Sequence, residues 1–286
     1  MRFIAFLDDQ GRPALGLHIG DELVDLSASG LPATLDELLR LGEPGFDAAR
    51  RAAAGSAVRR PLQGLRHLPP LGRPGKALAI GLNYRDHAAE SHFELPRYPV
   101  VFPRYPSSWV AHGQPLVKPL ASEQYDYEAE LVAVIGRAGR RIPREQALAH
   151  VAGYSLFNDG SVRDFQLRTP QWTLGKNFDA SGAFGPVFVT TDELPPGAAG
   201  LRIACRLNGQ TLQDGNTRDM IFDVAALVAA CSEAMTLQPG DILITGTPAG
   251  VGMARQPPLW MKAGDTCEVE VEGIGILRNP VVQEPG

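Results

Sequence analysis

Apolar and polar residues alternate along the first 26 positions in three short runs. RFIAFLD, PALGLHI and ELVDL are separated by the turn sequences DQGR and GD, the pattern of a three-stranded meander. At Ala33 the spacing changes. ATLDELLRLGEPGFDAARRAAAGS carries apolar residues three and four apart, and Thr34 with Glu37 forms a capping box, so this segment is predicted helical. PLQGLRHLPPLGRPG, residues 61–75, is punctuated by Pro and Gly and reads as a linker.

Two further helices follow from the pattern. IPREQALAHV places Pro143 near a first helical turn, and DVAALVAACSEAMTL opens at the N-cap residue Asp223 and stops before Pro239-Gly240. Asn208-Gly209 between two alternating segments predicts a β-hairpin. TCEVEVEG alternates cleanly and assigns Glu268, Glu270 and Glu272 to a solvated face. The rest is mostly strand. The expected fold is α+β and strand-dominated, with a small N-terminal α+β domain at 1–70 and the main domain at 71–286.

YDYEAELVAVIGR, residues 125–137, breaks the pattern. Leu131 to Ile135 is an unbroken apolar run, suited to a strand buried on both faces, yet the same strand opens with Asp126, Glu128 and Glu130 on one face. Two carboxylates about 4 Å apart repel by roughly 4 kcal/mol at an effective dielectric near 20. Such a row must protonate, reach water or bind a cation. Asp159, at an Asn-Asp-Gly turn, can be aimed inward as a third pole. Oxygen-only donors with no Cys or His nearby suit Mg²⁺, Mn²⁺ or Ca²⁺ rather than Zn²⁺. The alternative is that Glu128 and Glu130 pair with Arg137, Arg140 or Arg141 at a sheet end. Spacing alone leaves both open.

Composition narrows the classes. With 44% apolar and 21% charged residues the chain can build a real core, and a net charge of −5 gives no basic footprint for nucleic acid or anionic lipid. Cys205, Cys231 and Cys267 form no CxxC pair and read as free thiols of a reducing cytosol. The apolar run at the N-terminus is cut by Asp8 and Asp9, and nothing approaches the roughly 20 residues of a membrane span. A cytoplasmic protein without membrane contact is expected. ITGTPAGVG, residues 244–252, lacks the G-K-[ST] ending of a phosphate loop, and no helical pattern follows it.

AIGLNYRDHAAE, DYEAELVAVIG, GYSLFNDGSVRDFQ, TLGKNFDASGAFGP, TRDMIFD and PGDILITGTPAGVG occur in the order and spacing of the fumarylacetoacetate hydrolase family. The resemblance spans residues 76–280 and implies a mixed β-roll holding a divalent metal on Glu128, Glu130 and Asp159, with Asp126 in a supporting role. It implies chemistry on small 2-oxo acids, in which a C–C bond of an acylpyruvate-type 1,3-diketo acid is hydrolysed. Isomerisation or decarboxylation of hydroxymuconate-like or oxaloacetate-like acids is the rival outcome. His87 and Glu90 lie three apart, so on a helix Glu90 can orient His87 as a general base. Without the resemblance they would read as a surface pair. The resemblance further makes Lys176 a partner for the developing enolate, with its stem buried among Trp172, Leu174 and Phe178. Arg163, Gln166 and Thr247 become substrate-binding residues. Arg104 stands where relatives commonly carry lysine, and is expected to face the site and favour a second anionic group on the substrate. A homodimer is also expected from the resemblance.

Overall fold

A computed structural model describes residues 1–55, 58–90 and 94–286. The opening meander forms as expected: β1 (Arg2–Leu7), β2 (Pro13–Ile19) and β3 (Glu22–Asp25) pair antiparallel, with Ile4 opposite Gly16 and Leu17 opposite Val24. The helical segment is two helices. Thr34 caps α1 (Leu35–Leu41) by accepting from the Glu37 amide at 3.3 Å, and the chain turns at Gly42 into α2 (Glu43–Ala54). Strand pairing then reaches into the predicted linker, where β4 (Arg59–Pro61) joins β3 and β5 (Arg66–His67) joins β1.

The larger part begins with β6 (Ala77–Gly81), α3 (Arg85–Glu90), β7 (Val100–Pro103), β8 (Trp109–Val110) and β9 (Leu116–Lys118). Next come β10 (Tyr125–Asp126), β11 (Ala129–Ile135), β12 (Val151–Asn158) and β13 (Ser161–Val162), then the one-turn helices α4 (Arg163–Gln166) and α5 (Thr173–Lys176). The chain continues through β14 (Gly182–Thr190), β15 (Arg202–Leu207), β16 (Gln210–Asn216), α6 (Val224–Ala234), β17 (Ile242–Ile244), β18 (Thr266–Val271) and β19 (Gly275–Gln283).

Among the described residues twelve strands join one sheet, with the main path β4-β3-β2-β1-β14-β12-β11-β17-β6-β7. It runs unbroken past residue 70, because Phe3 on β1 pairs with Phe188 on β14. A second sheet, β16-β15-β18-β19-β9, covers one face of β11 and β12. Leu131 and Ala133 pack there with Ile203, Cys205 and Val269. Val132 and Val134 point the other way, into a cluster with Phe157, Phe188 and the α1 residues Leu38 and Leu39. The unbroken apolar run is thus explained by burial on both faces.

Two predicted elements differ. Residues 144–150 form a 3₁₀-helix rather than an α-helix, with Gln146 N–H donating to Pro143 O at 2.9 Å. The segment ends where β12 begins, and Val151 N–H closes it on Leu148 O. The strand expected from Tyr125 onward is interrupted at Tyr127 and Glu128, and β10 pairs with β13 instead of entering the main sheet. The Asn208-Gly209 hairpin and α6 are as expected. Both turn residues have positive φ, and Asp223 Oδ1 caps α6 through the Ala226 amide at 2.8 Å.

Candidate metal centre and active site

The antiparallel register of β11 and β12 builds the centre. Ala129 lies opposite Asn158, which sets Glu128 and Asp159 side by side just beyond the paired residues, and Asp159 N–H donates to Glu128 O at 2.9 Å. Asn158 Oδ1 accepts the Glu128 amide at 3.1 Å and fixes the lead-in residue. Gly160 permits the turn that follows, since a Cβ there would fall 1.7 Å from Ser181 O. Two residues beyond Glu128, Glu130 projects from β11 into the same space. One oxygen each from Glu128, Glu130 and Asp159 all lie within 4.8 Å of one another, and all three side chains are buried.

Asp126 does not join them. Its carboxylate accepts from the amides of Tyr127, Gly252 and Met253 and from Arg163 Nε, at 2.7–3.0 Å. It therefore ties Arg163 to the loop that follows β17. Arg137, Arg140 and Arg141, the alternative counter-ions, are absent from the cluster as well. Lys176 Nζ bridges Glu128 Oε2 and Asp159 Oδ2, at 2.7 and 2.6 Å. Arg163 Nη2 lies 2.7 Å from Glu128 Oε1, but off the hydrogen-bond direction.

Arg104 is placed differently from expectation. It is buried behind Asp159, donating to Asp159 Oδ1 at 2.5 Å and to Gly160 O and Ser108, and it does not line the cavity. A substrate anion would have to displace a buried ion pair to reach it. Leu174 also departs from expectation: it is exposed, and Phe102 is the ring beside the Lys176 ammonium, 5.2 Å from its centroid.

Four carboxyl groups, Asp126, Glu128, Glu130 and Asp159, meet three cations, Arg104, Arg163 and Lys176, so one negative charge is in excess. The excess falls on Glu130. Among the described residues it has no ion pair, and its carboxylate accepts a short hydrogen bond from the Gly246 amide. Burial, then the neighbouring Asp159 and Glu128, push its carboxyl well above the ordinary 4.5. Burial also disfavours the charged form of Glu128, but Lys176, Arg163 and His87 outweigh it and hold that carboxyl below its usual range.

This donor set fits a divalent cation. The three hard oxygens lie within 4.8 Å of one another, close enough to share one ion with metal–oxygen distances of about 2.0–2.6 Å, and the carboxyl without a counter-ion is one of them.

The cavity gathers His87, Arg163, Gln166, Lys176 and Thr247 around the triad. Ile80, Phe102, Leu167, Trp172 and Met253 supply its apolar wall. Glu90 stands behind His87. Its Oε1 is 2.9 Å from His87 Nδ1, and both its oxygens take the Gly250 amide at 2.9–3.1 Å. Arg163 Nη1 donates to Gln166 Oε1 at 2.8 Å, which leaves the Gln166 amide nitrogen for a ligand. Sequence reasoning missed Gln213, which reaches in from the second sheet to Ala129 N, Thr247 Oγ1 and Pro248 O. Nothing in its hairpin context marks it.

The roll is strand-dominated and carries, beside a buried histidine, a buried carboxylate triad with the geometry to hold a metal ion. Residues 76–282 match the C-terminal domain of fumarylacetoacetate hydrolase, and the chain belongs to that family. The oxaloacetate tautomerase Fahd2a, mitochondrial, of Rattus norvegicus is 40% identical over 275 residues, covering 94% of this chain and 88% of the relative. The Homo sapiens oxaloacetate tautomerase FAHD2A, mitochondrial, is 40% identical over 276 residues with the same coverage. Among solved structures, fumarylacetoacetate hydrolase from Exiguobacterium antarcticum superposes with a TM-score of 0.87 at 35% identity, covering 99% of this chain and 100% of that one. Maleylpyruvate hydrolase from Sphingobium sp. SYK-6, in complex with manganese(II) and pyruvate, gives 0.82 at 30% identity, with both chains covered in full. No helix among the described residues is long and apolar enough to cross a membrane, and all three cysteines are free.

Proposed function

We propose that this enzyme interconverts the keto and enol forms of an oxaloacetate-type 2-oxo acid, with Mg²⁺ or Mn²⁺ held by Glu128, Glu130 and Asp159. The observation that carries this reading is the His87 imidazole in the cavity, with its Nδ1 side taken by Glu90. An Nδ1–H donated to Glu90 leaves Nε2 as the lone pair that takes a proton from the carbon next to the carbonyl. Glu90, fixed by the Gly250 amide, stabilises the imidazolium that results. The ring then returns the proton to the enolate oxygen, and no water is consumed. A bound divalent cation would supply the positive charge that lowers the energy of an enolate and of the adjacent carboxylate. Arg163 and Gln166 hold the substrate carboxylate, and Lys176 donates toward the developing oxyanion. Thr247 donates to a further anionic oxygen. Phe102, Leu167 and Trp172 keep bulk water out.

The tautomerase names of the 40%-identical relatives support this outcome over hydrolysis, which the family resemblance had put first. Hydrolysis of an acylpyruvate is the second reading, favoured by the same His87–Glu90 pair acting on water and by the maleylpyruvate hydrolase fold match. The deciding experiment follows decay of the ultraviolet absorbance of enol-oxaloacetate with Mn²⁺, with pyruvate release and ¹⁸O uptake from water measured on acylpyruvates in parallel. Fast enol decay without ¹⁸O uptake is expected, and His87→Ala should slow it by about 10²–10⁴-fold. Unaltered enol lifetime in the presence of wild-type enzyme would sink the tautomerase reading. The homodimer, the division near residue 70 and the cytoplasmic location belong to the same proposal. Tyr98, Val101 and Tyr105, exposed around the edge strand β7, support the first of these.

A further inference from the structure

Gln213 belongs to β16, in the sheet that does not carry the metal ligands, yet its side chain is 1% exposed and ends at the site. Backbone groups pin its amide at both ends. Oε1 accepts the Ala129 N–H at 2.9 Å, the amide lying between Glu128 and Glu130 in the chain. Nε2 donates to Pro248 O and to Thr247 Oγ1, each at 2.8 Å. An amide N–H can only donate and a carbonyl can only accept, so the side chain cannot be turned end for end. Both hydrogens of Nε2 are occupied, one of them on the Thr247 hydroxyl.

That takes one of the two lone pairs of the Thr247 hydroxyl and limits its rotation. A threonine hydroxyl has one hydrogen and rotates freely, so an unrestrained one can offer either its hydrogen or its lone pairs. Here an incoming N–H has claimed the oxygen as acceptor. Among the described residues Thr247 Oγ1 donates no hydrogen bond, and Thr247 lines the cavity. Its hydrogen is left for whatever the cavity holds. A second observation says that the contact is built. The Thr247–Gly250 turn lies so hard against β16 that a Cβ on Gly215 would come within 2.6 Å of Pro248, and one on Gly250 within 2.2 Å of Leu212 O.

We propose that Gln213 is a positioning residue that holds Thr247 as a hydrogen-bond donor toward an anionic oxygen of the substrate, and locks that donor to the strand carrying the metal-binding glutamates. The inference rests on the 2-oxo-acid reading above, in which Thr247 meets such an oxygen.

The test is a double-mutant cycle read by calorimetric binding of oxalate, a small dianion resembling a 2-oxo-acid enolate, with Mn²⁺ present. Thr247→Val removes the donor and should weaken oxalate by about ten- to a hundredfold, the range for a hydrogen bond to a charged group. Gln213→Met keeps the volume but frees the hydroxyl rotor, and should weaken it about fivefold. In the Thr247→Val background the same Gln213→Met change should cost less than about twofold, because residues acting through one another are not additive. Gln213→Glu keeps the acceptor for Ala129 N and reverses the bond to Thr247. It serves if the methionine variant fails to fold, with a larger loss beside Thr247 than in the Thr247→Val background. Equal fold-losses in the two backgrounds, or no loss at all, would overturn the proposal. So would wild-type protein that ignores oxalate. Wild-type protein that binds oxalate but leaves the oxaloacetate enol untouched loses the tautomerase reading alone.

Discussion

The lead-in of β11 and the body of β18 both carry glutamates two residues apart, Glu128 and Glu130 in one, Glu268 and Glu270 in the other. β11 is buried at every position, whereas β18 alternates between buried and half-buried. The β18 acids meet Arg206, which donates to Glu268 at 2.9 Å and also pairs with Glu270, and solvent reaches all three side chains. The β11 acids are enclosed, and their cations leave Glu130 without a partner. Identical spacing therefore yields a surface ion pair in one place and an unneutralised core carboxyl in the other. The informative signal was what followed the acids: an unbroken apolar run that denied them a route to water.

The largest contrast should come from neutralising one acid in each strand. Glu130→Gln should lower Mn²⁺ affinity and turnover by more than the roughly 10–100-fold typical of groups that merely support metal ligands, whereas Glu270→Gln should leave both unchanged. Calorimetric titration with Mn²⁺ checks this, and equal affinity in the two variants would dissolve the distinction. A smaller effect lies in the pH dependence of stability without metal. Burial, Asp159 and Glu128 raise the folded-state carboxyl of Glu130 well above 4.5, so the folded protein keeps a proton that the unfolded chain releases there. Stability should then fall as pH rises from about 4.5 toward that raised value. Mn²⁺ at about 100 times its Kd should restore roughly 2.7 kcal/mol, and Glu130→Gln should flatten the slope. Chemical denaturation across that interval, with and without Mn²⁺, measures both. The smallest effect belongs to β18, where Glu270→Gln should change the unfolding free energy by no more than about 1 kcal/mol, as for other surface ion pairs.

Local features were legible in the sequence wherever neighbours along the chain decide them. The meander, the Asn208-Gly209 hairpin and α6 each declare themselves through turn residues, alternation or a cap. The 3₁₀ segment at 144–150 did not, because apolar spacing over two turns does not separate i→i+3 from i→i+4 winding. Asp159 could be named as a third pole, but its approach to Glu128 depends on the β11–β12 register, a contact set by pairing between distant stretches. Arg104 was visible only as an unusual residue in its block. Its real position, behind Asp159, comes from β7 lying beside β6 at the sheet edge. Gln213 was invisible because the other sheet delivers it.

Gly246 has a consequence for how such a protein could change its diet over evolutionary time. With φ at 96°, its amide meets Glu130, and a side chain there would run into Asn83 at 2.7 Å and Ile80 O at 3.0 Å. Gly160 closes the opposite flank in the same manner. The reactive floor thus has no spare volume in which to vary, and new substrates must be accommodated at the rim, by Leu82, Leu167, Trp172 and Met253. Relatives that take longer or bulkier acids are expected to keep the floor intact and to differ at those four places.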